Sequence, residues 1–297
     1  MIFFATNIIK DYKKSNFKLE ISKVSLKPNS ITGVVGENGN GKTTLLNIIA
    51  GQLSCKSDRF TYFDKTPKNT DDWVSVKDKI AFIPQRIPKW HGTLMQNLML
   101  KATLENIPKS EIVNTINASL EFFGLTKFAH LKWSEISTGY RLKFELARVL
   151  IGDSQLLVLD EPIANLDINA QQQFLSDLKK IIYSKDYPIA IILSSQQLHE
   201  IETIADEMIF IKNGKAIFSG STNTLENSLT SIELHVKDTV SLEKFLLSKK
   251  HKFIKKGVYY QVEIDKLSSN EFLSTLISNN IEISYYRNIS NSTKKLF

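Results

Sequence analysis

Three short stretches carry residue types at spacings that suit phosphate chemistry. The first, "GENGNGKTT" (Gly36 to Thr44), satisfies the pattern G-x-x-x-x-G-K-[ST]. Gly36, Gly39 and Gly41, with Glu37, Asn38 and Asn40 between them, let backbone N–H groups converge on phosphate oxygens, and the helix that follows adds its dipole. Lys42 stands where an ammonium reaches β- and γ-phosphates. Thr43, followed by Thr44, stands where a hydroxyl meets Mg²⁺. The second stretch, "LLVLDEP" (Leu156 to Pro162), ends a buried apolar run with two carboxylates. A buried carboxylate needs a cation, hydrogen bonds or water. Phosphate-bound Mg²⁺ suits Asp160, and Glu161, turned to another side, suits the polarising of an attacking water. Beside a phosphate loop, the alternative of two acids merely meeting solvent loses ground. The third, "EISTGYRLKFELARVL" (Glu135 to Leu150), opens an amphipathic helix on Ser137, Thr138 and Gly139. Such residues are ordinary N-caps and are equally anion-friendly. Arg141 and Lys143 just inside the helix oppose its macrodipole, so the opening raises the question of which negative group it faces.

The elements that must hold these residues are legible as patterns. "FFATNII", "FKLEISKVSL" and "ITGVV" read as strands, and "KTTLLNIIA" as the helix behind the glycine loop. "IAFIP", "QLLVLD" and "PIAIILSS" are short continuous apolar runs of the parallel-sheet kind, the last two separated by the helical "NAQQQFLSDLKKII". From about Trp90 to Leu150 the pattern is purely helical. "EMIFIKNGKAIFSG" is a hairpin about Asn213-Gly214. After about Ser221 the texture alternates strand, helix, long strand or hairpin, helix, strand, which suits a small split βαβ module. The expected organisation is an α/β domain over 1–221 with a mainly parallel sheet and a helical segment over about 88–150. A small α+β domain over 222–297 follows.

Bulk properties narrow the class. A chain of 297 residues with 42% hydrophobic content has room for about two globular domains. No apolar run approaches the ~18 residues of a membrane span, and "MIFFATNIIK" lacks the layout of a signal peptide. A single cysteine, Cys55, rules out an internal disulfide and fits a reducing compartment. The net charge of +7 owes part of its excess to "KKHKFIKK" (Lys249 to Lys256), which reads as a solvated run. Aromatics do not alternate with basic residues as in a single-strand groove, which argues against nucleic acid as the partner. The expected location is the cytoplasm.

Over residues 1 to about 221 the chain resembles the nucleotide-binding subunits of ABC transporters, a P-loop NTPase fold. "GENGNGKTT" corresponds to Walker A, "LLVLDE" to Walker B with its adjacent glutamate, and "FIPQ" to the Q-loop at Gln85. "ISTGY" followed by "ELARVL" resembles the Leu-Ser-Gly-Gly-Gln signature, and "NLD" resembles the D-loop with Asp167. Tyr12 lies 24 residues before Gly36, where the family has an aromatic that stacks on adenine, and is the expected stacking residue; a strand-edge core aromatic is the alternative, and Phe17 competes for the role. The resemblance implies Mg-ATP as the bound species, with Thr43, Asp160 and Gln85 around the metal. It implies Glu161, Lys42, Gln85 and the residue at 196 as the hydrolytic set. In the family two cassettes pair head to tail, so Ser137, Gly139 and the helix start would cap a γ-phosphate on a second chain, identical or related. The resemblance also implies a separately encoded membrane permease, docked near Trp90 and "GTLMQNLML", and hence a peripheral position on the inner face of the membrane.

The pattern has departures. Thr138 replaces the first signature glycine and Tyr140 the glutamine. In "ILSSQQLHEIE" the family's histidine is Gln196, whose amide can donate to phosphate but cannot become cationic; His199 lies three residues along, nearly a turn away. Gln85 also reads as an ordinary exposed loop residue. "IEISYYRNISNSTKKLF" resembles the tail of exporter-type (ABC-2) subunits, although "STKKLF" lacks the usual acidic spacing. Two other functions compete: a soluble ABC-type ATPase acting on ribosomes or nucleic acid, and a regulatory subunit that binds ATP and scarcely hydrolyses it.

Overall fold

The apolar runs pair as their burial demands. In this computed structural model, which describes residues 1–14, 16–222, 231–264, 269–279 and 281–288, the chain forms two compact units, Met1–Ser219 and Gly220–Phe297. The first is a P-loop cassette built on a nine-stranded mixed sheet. Three of its strands, β3 (Ser30–Val35), β6 (Leu156–Leu159) and β7 (Ala190–Ser195), are buried at every position, as expected of parallel strands covered on both faces. β7 lies between β3 and β6 and runs parallel to both. Beyond β6 comes β5 (Ile80–Ile83), and on the far side of β3 come β8 (Glu207–Lys212) and β9 (Lys215–Ser221), joined through Asn213-Gly214. β1 (Phe3–Tyr12), β2 (Phe17–Leu26) and β4 (Arg59–Tyr62) complete the sheet as antiparallel neighbours.

Register decides where the chemistry gathers. Leu159 pairs with Leu193, which pairs with Gly33, and Val35 pairs with Ser195. The residues that follow these strand ends, Gly36, Asp160 and Gln196, therefore emerge at one edge of the sheet. Ligands in open α/β sheets bind outside such carboxyl ends. Helix α1 (Lys42–Ile49) starts at that edge, with Gly41 in its left-handed N-cap, and buries Leu45, Leu46, Ile48 and Ile49 in the main core.

The stretch from Trp90 to Leu150 is not purely helical. It holds α3 (Leu94–Leu104), α4 (Lys109–Phe122), α5 (Thr138–Val149) and two single 3₁₀ turns, Thr126–Phe128 and Trp133–Glu135. Gly92 and Gly124 take positive φ and interrupt the periodic pattern, and Trp90 and His91 lie in the loop before α3. Helix α2 (Thr70–Lys77), which its charged, weakly periodic sequence conceals, is held by an Asn69–Asp72 capping box. On α3, Met99, Leu100 and Leu104 are 40%, 57% and 69% exposed, so the segment after Gln85 presents the apolar surface expected of it.

The second unit is a four-stranded antiparallel sheet in the order β11 (Lys252–Lys256), β12 (Tyr259–Glu263), β10 (Ser231–Val236), β13 (Ile283–Asn288). Helices Thr239–Ser248 and Ser269–Ser278 cover one face, closing a core that includes Leu234, Leu242, Tyr260, Phe272 and Leu276. The "long strand or hairpin" is a hairpin, turned at Gly257 with φ 63°. Ser292 to Phe297, the "STKKLF" ending, lies outside the described residues.

Candidate functional site

The glycine loop is shaped by close packing as much as by backbone freedom. Gly41 has φ 104°, and a Cβ there would lie 2.8 Å from Leu19 Cδ1 and 2.9 Å from Phe17 Cζ. A Cβ at Gly36 would lie 2.5 Å from the Ile211 carbonyl oxygen. Both glycines let the loop press against β2 and β8. Asn40 supports the loop from behind: its Oδ1 accepts the backbone N–H of Asn213 at 2.8 Å.

A cavity of about 320 Å³ opens over the loop. Tyr12, Phe17, Glu37, Asn38, Gly39, Gly41, Lys42, Thr43, Thr44, Gln85 and Glu161 line it. The rings of Tyr12 and Phe17 stand 6.2 Å apart, so both compete for a stacking role, as the sequence left open. Gly36 and Asn40 lie behind the lining.

At the floor, the charged and polar side chains pair with one another. Lys42, 3% exposed at its side chain, donates to the carbonyls of Gly36 (2.6 Å) and Glu37 (3.2 Å) and pairs with Glu161 Oε1 at 3.0 Å. Thr43 Oγ1 donates to Asp160 Oδ2 at 2.8 Å. Glu161 Oε2 accepts from Gln85 Nε2 (2.9 Å) and Gln196 Nε2 (2.8 Å). Glutamate 161 itself sits at φ 44°, a left-handed conformation costly for a non-glycine residue. Gln85, an exposed loop residue by accessibility, is nonetheless tied to the site by that bond. Thr43 Oγ1 and Asp160 Oδ2, already in contact at the start of α1, form the hard-oxygen pair that fits Mg²⁺ between protein and phosphate. The His199 side chain lies outside the described ones.

The other expected residues stand apart. Ser137, Gly139 and Asp167 do not line the cavity. Ser137 caps α5, accepting the Tyr140 N–H at a long 3.5 Å, and Asp167 caps α6 (Ile168–Ile182), accepting from Ala170 N at 2.9 Å. The basic side chains near the α5 start turn to partners of their own, not to solvent. Arg141 donates to the carbonyls of Trp133 and Ser134 and stacks on the Trp133 ring at 4.3 Å, while Lys143 pairs with Asp177 at 3.0 Å. Both cations are thereby held by partners outside the first turn of α5.

Sequence reasoning missed a strut behind the Q-loop. Trp90 Nε1–H donates to Glu145 Oε1, Arg148 donates twice to Glu145 Oε2 (3.1 and 2.9 Å), and its guanidinium lies 4.3 Å over the Trp90 ring. Burial pushes the Glu145 carboxyl up, opposed by Arg148 and Trp90. The strut joins the segment after Gln85 to α5. A glutamate in the middle of an amphipathic helix gave no signal of it, because its partner lies 55 residues away. Ser194 was missed too.

Comparison with known proteins agrees with this geometry. Residues 19–164 match the family model described as ABC transporter. Over 216 residues the chain is 27% identical to the spermidine/putrescine import ATP-binding protein PotA of Borrelia garinii, covering 71% of this chain and 60% of that protein. The chain thus spans less than two thirds of that import protein's length. An ABC transporter ATP-binding protein of Mycoplasma pneumoniae is 25% identical over 289 residues, covering 96% of this chain and 86% of that protein. Among solved structures, cbiO1 from Clostridium perfringens, part of the ABC transporter complex cbiONQ, superposes with a TM-score of 0.69 at 21% identity over 75% of this chain and 90% of that one. Phosphate loop, paired carboxylates, glutamine contact and the match to the ABC transporter family model coincide on one stretch of chain, and the solved structures share its fold.

Proposed function

We infer that the protein is the ATPase subunit of an ABC transporter: it binds and hydrolyses Mg-ATP between two cassettes and drives a separate membrane permease. The observation that carries the reading is the convergence of Lys42, Gln85 and Gln196 on the Glu161 carboxylate above the phosphate loop. ATP arriving in the cavity offers Lys42 a phosphate acceptor in place of Glu161. The released carboxylate, still steered by the two amides, is then available to take a proton from water. Mg²⁺ held by Thr43 and Asp160, with Gln85 nearby, would neutralise charge on the β- and γ-oxygens. Tyr12 or Phe17 stacks on the base.

The first turn of α5, whose neighbouring cations are held elsewhere, supports the paired arrangement, with Ser137 and Gly139 facing the γ-phosphate of a partner cassette and Asp167 near the same interface. Within one chain Gly139 has room, since an added Cβ would lie 3.6 Å from Ala170 Cβ, ordinary van der Waals contact. Gly139→Asp should therefore leave thermal stability and nucleotide binding by the isolated chain unchanged, yet reduce turnover at least about tenfold by setting a carboxylate against phosphate. Equal turnover in the variant would sink the in-trans role.

Gln196 fits the histidine position in location and donates a hydrogen bond, but it cannot carry charge. Replacing it by histidine is expected to raise turnover on the order of tenfold. A steady-state rate equal to that of wild type would mean that this position does not limit the reaction.

The exposed apolar side chains of α3 support docking of a permease there. Among the described residues no helix is long and apolar enough to cross a membrane, in keeping with a peripheral subunit on the cytoplasmic face. Export is the proposed direction on the strength of the C-terminal sequence; the import relative makes directional transport into inverted vesicles the decisive measurement. The test of the central reading is Mg-ATP hydrolysis by the purified protein with its permease, together with ATP-dependent dimer formation.

A further inference from the structure

The strand between the phosphate loop and the paired carboxylates carries a hydroxyl that the catalytic scheme leaves unused. Ser194 is 0% exposed and stands on β7 in register with Val34 of β3. Its Oγ donates to Asp160 Oδ1 at 2.8 Å and accepts the backbone N–H of Glu161 at 2.8 Å. One oxygen thus ties together the side chain of one acid and the main chain of the next. The tie matters because of what lies on either side of it. Asp160 uses its other oxygen, Oδ2, for Thr43, so the Ser194 bond fixes which oxygen is left toward the metal site. Glu161 sits at φ 44°, and a left-handed non-glycine residue persists only where the surroundings over-determine it.

We propose that Ser194 is a positioning residue for hydrolysis: its hydroxyl holds the Asp160–Glu161 peptide in its left-handed turn and so aims both carboxylates. The claim rests on the reading of the site given above. Without the hydroxyl, the buried Glu161 N–H loses its acceptor and Asp160 loses a donor. The peptide is then free to relax toward an ordinary conformation, and the Glu161 carboxylate moves off the three donors that meet it. A displacement near 1 Å at a reacting group is enough to cost one to two orders of magnitude in rate.

The test uses the full chain with its permease. Turnover and KM for Mg-ATP are measured for wild type, Ser194→Ala, Ser194→Thr, Glu161→Gln and the Ser194→Ala/Glu161→Gln pair, with thermal unfolding followed alongside. Ser194→Ala should lower kcat about tenfold with KM within about twofold, and Ser194→Thr, which keeps the hydroxyl, should recover most of the rate. Residues that act as a unit are non-additive, so adding Ser194→Ala to Glu161→Gln should cost nothing further in single-turnover rate. An undiminished kcat in Ser194→Ala overturns the proposal, as does an equal fold-loss in the Glu161→Gln background, which marks a merely structural role. A wild-type protein that neither binds nor hydrolyses Mg-ATP overturns the site reading itself, and this proposal with it.

Discussion

Glu161→Gln is expected to cut turnover by about two to three orders of magnitude while leaving Mg-ATP affinity intact, because it removes the group we propose as acceptor of the proton from water. The substitution is nearly isosteric, and the site can absorb it. The wild-type carboxylate presents Oε1 to Lys42 and Oε2 to two amide N–H donors. A glutamine can keep its carbonyl oxygen toward Lys42, and Gln85 and Gln196 can each flip to offer an amide oxygen to its NH₂ group. Lys42 loses its counter-charge but keeps the carbonyls of Gly36 and Glu37, so the variant should melt lower yet fold, and the loss of rate should appear in the chemical step. If hydrolysis reopens a closed pair of cassettes, the slowed variant should also accumulate as an ATP-bound dimer. Light scattering with and without Mg-ATP reads this directly. Retained wild-type turnover would remove Glu161 from the role of base. A variant saturated with Mg-ATP that stays monomeric, alone and beside its partners, would dismantle the two-cassette reading altogether.

The parts of this site that were legible in sequence are those whose signal is local. "GENGNGKTT" and "LLVLDE" each hold their chemistry within a few residues, and the fully buried runs of β3, β6 and β7 set the frame that aligns them. The order of β7 between β3 and β6 is not local, and Ser194 escaped notice for that reason. Its meaning depends on contacts 33 and 34 residues away, to Glu161 and Asp160. Glu145 was concealed in the same way on an otherwise ordinary amphipathic helix. Arg141 and Lys143 show the converse. Sequence placed them against the dipole of α5, and only tertiary packing reveals that Trp133 and Asp177 draw them away. The break of the 90–150 segment into shorter helices falls at Asn106 and Pro108, between α3 and α4, and at Gly124 after α4; the positive φ of Asn106 and Gly124 overrides an apolar periodicity that continues past them.

Lys42→Met should abolish nucleotide binding and also weaken the fold, and the second effect separates this site from a plain phosphate loop. Among the described residues Lys42 is the only cation in contact with Glu161, whose side chain is 6% exposed. Removing one partner of a buried pair leaves an uncompensated charge and costs about 3–5 kcal/mol. The amides of Gln85 and Gln196 satisfy Oε2 only, so they offset part of that cost. For a domain of this size the loss corresponds to a fall in melting temperature on the order of 10 °C. The Lys42→Met/Glu161→Gln double variant has no charge left to compensate and should regain most of that stability. Its affinity for Mg-ATP, set by the missing ammonium, should stay as poor as in the single variant. Calorimetric melting and nucleotide titration of the three proteins separate the two quantities. A single variant as stable as wild type would show that the pair contributes nothing before nucleotide arrives. Tight Mg-ATP binding by either variant would remove Lys42 from phosphate recognition.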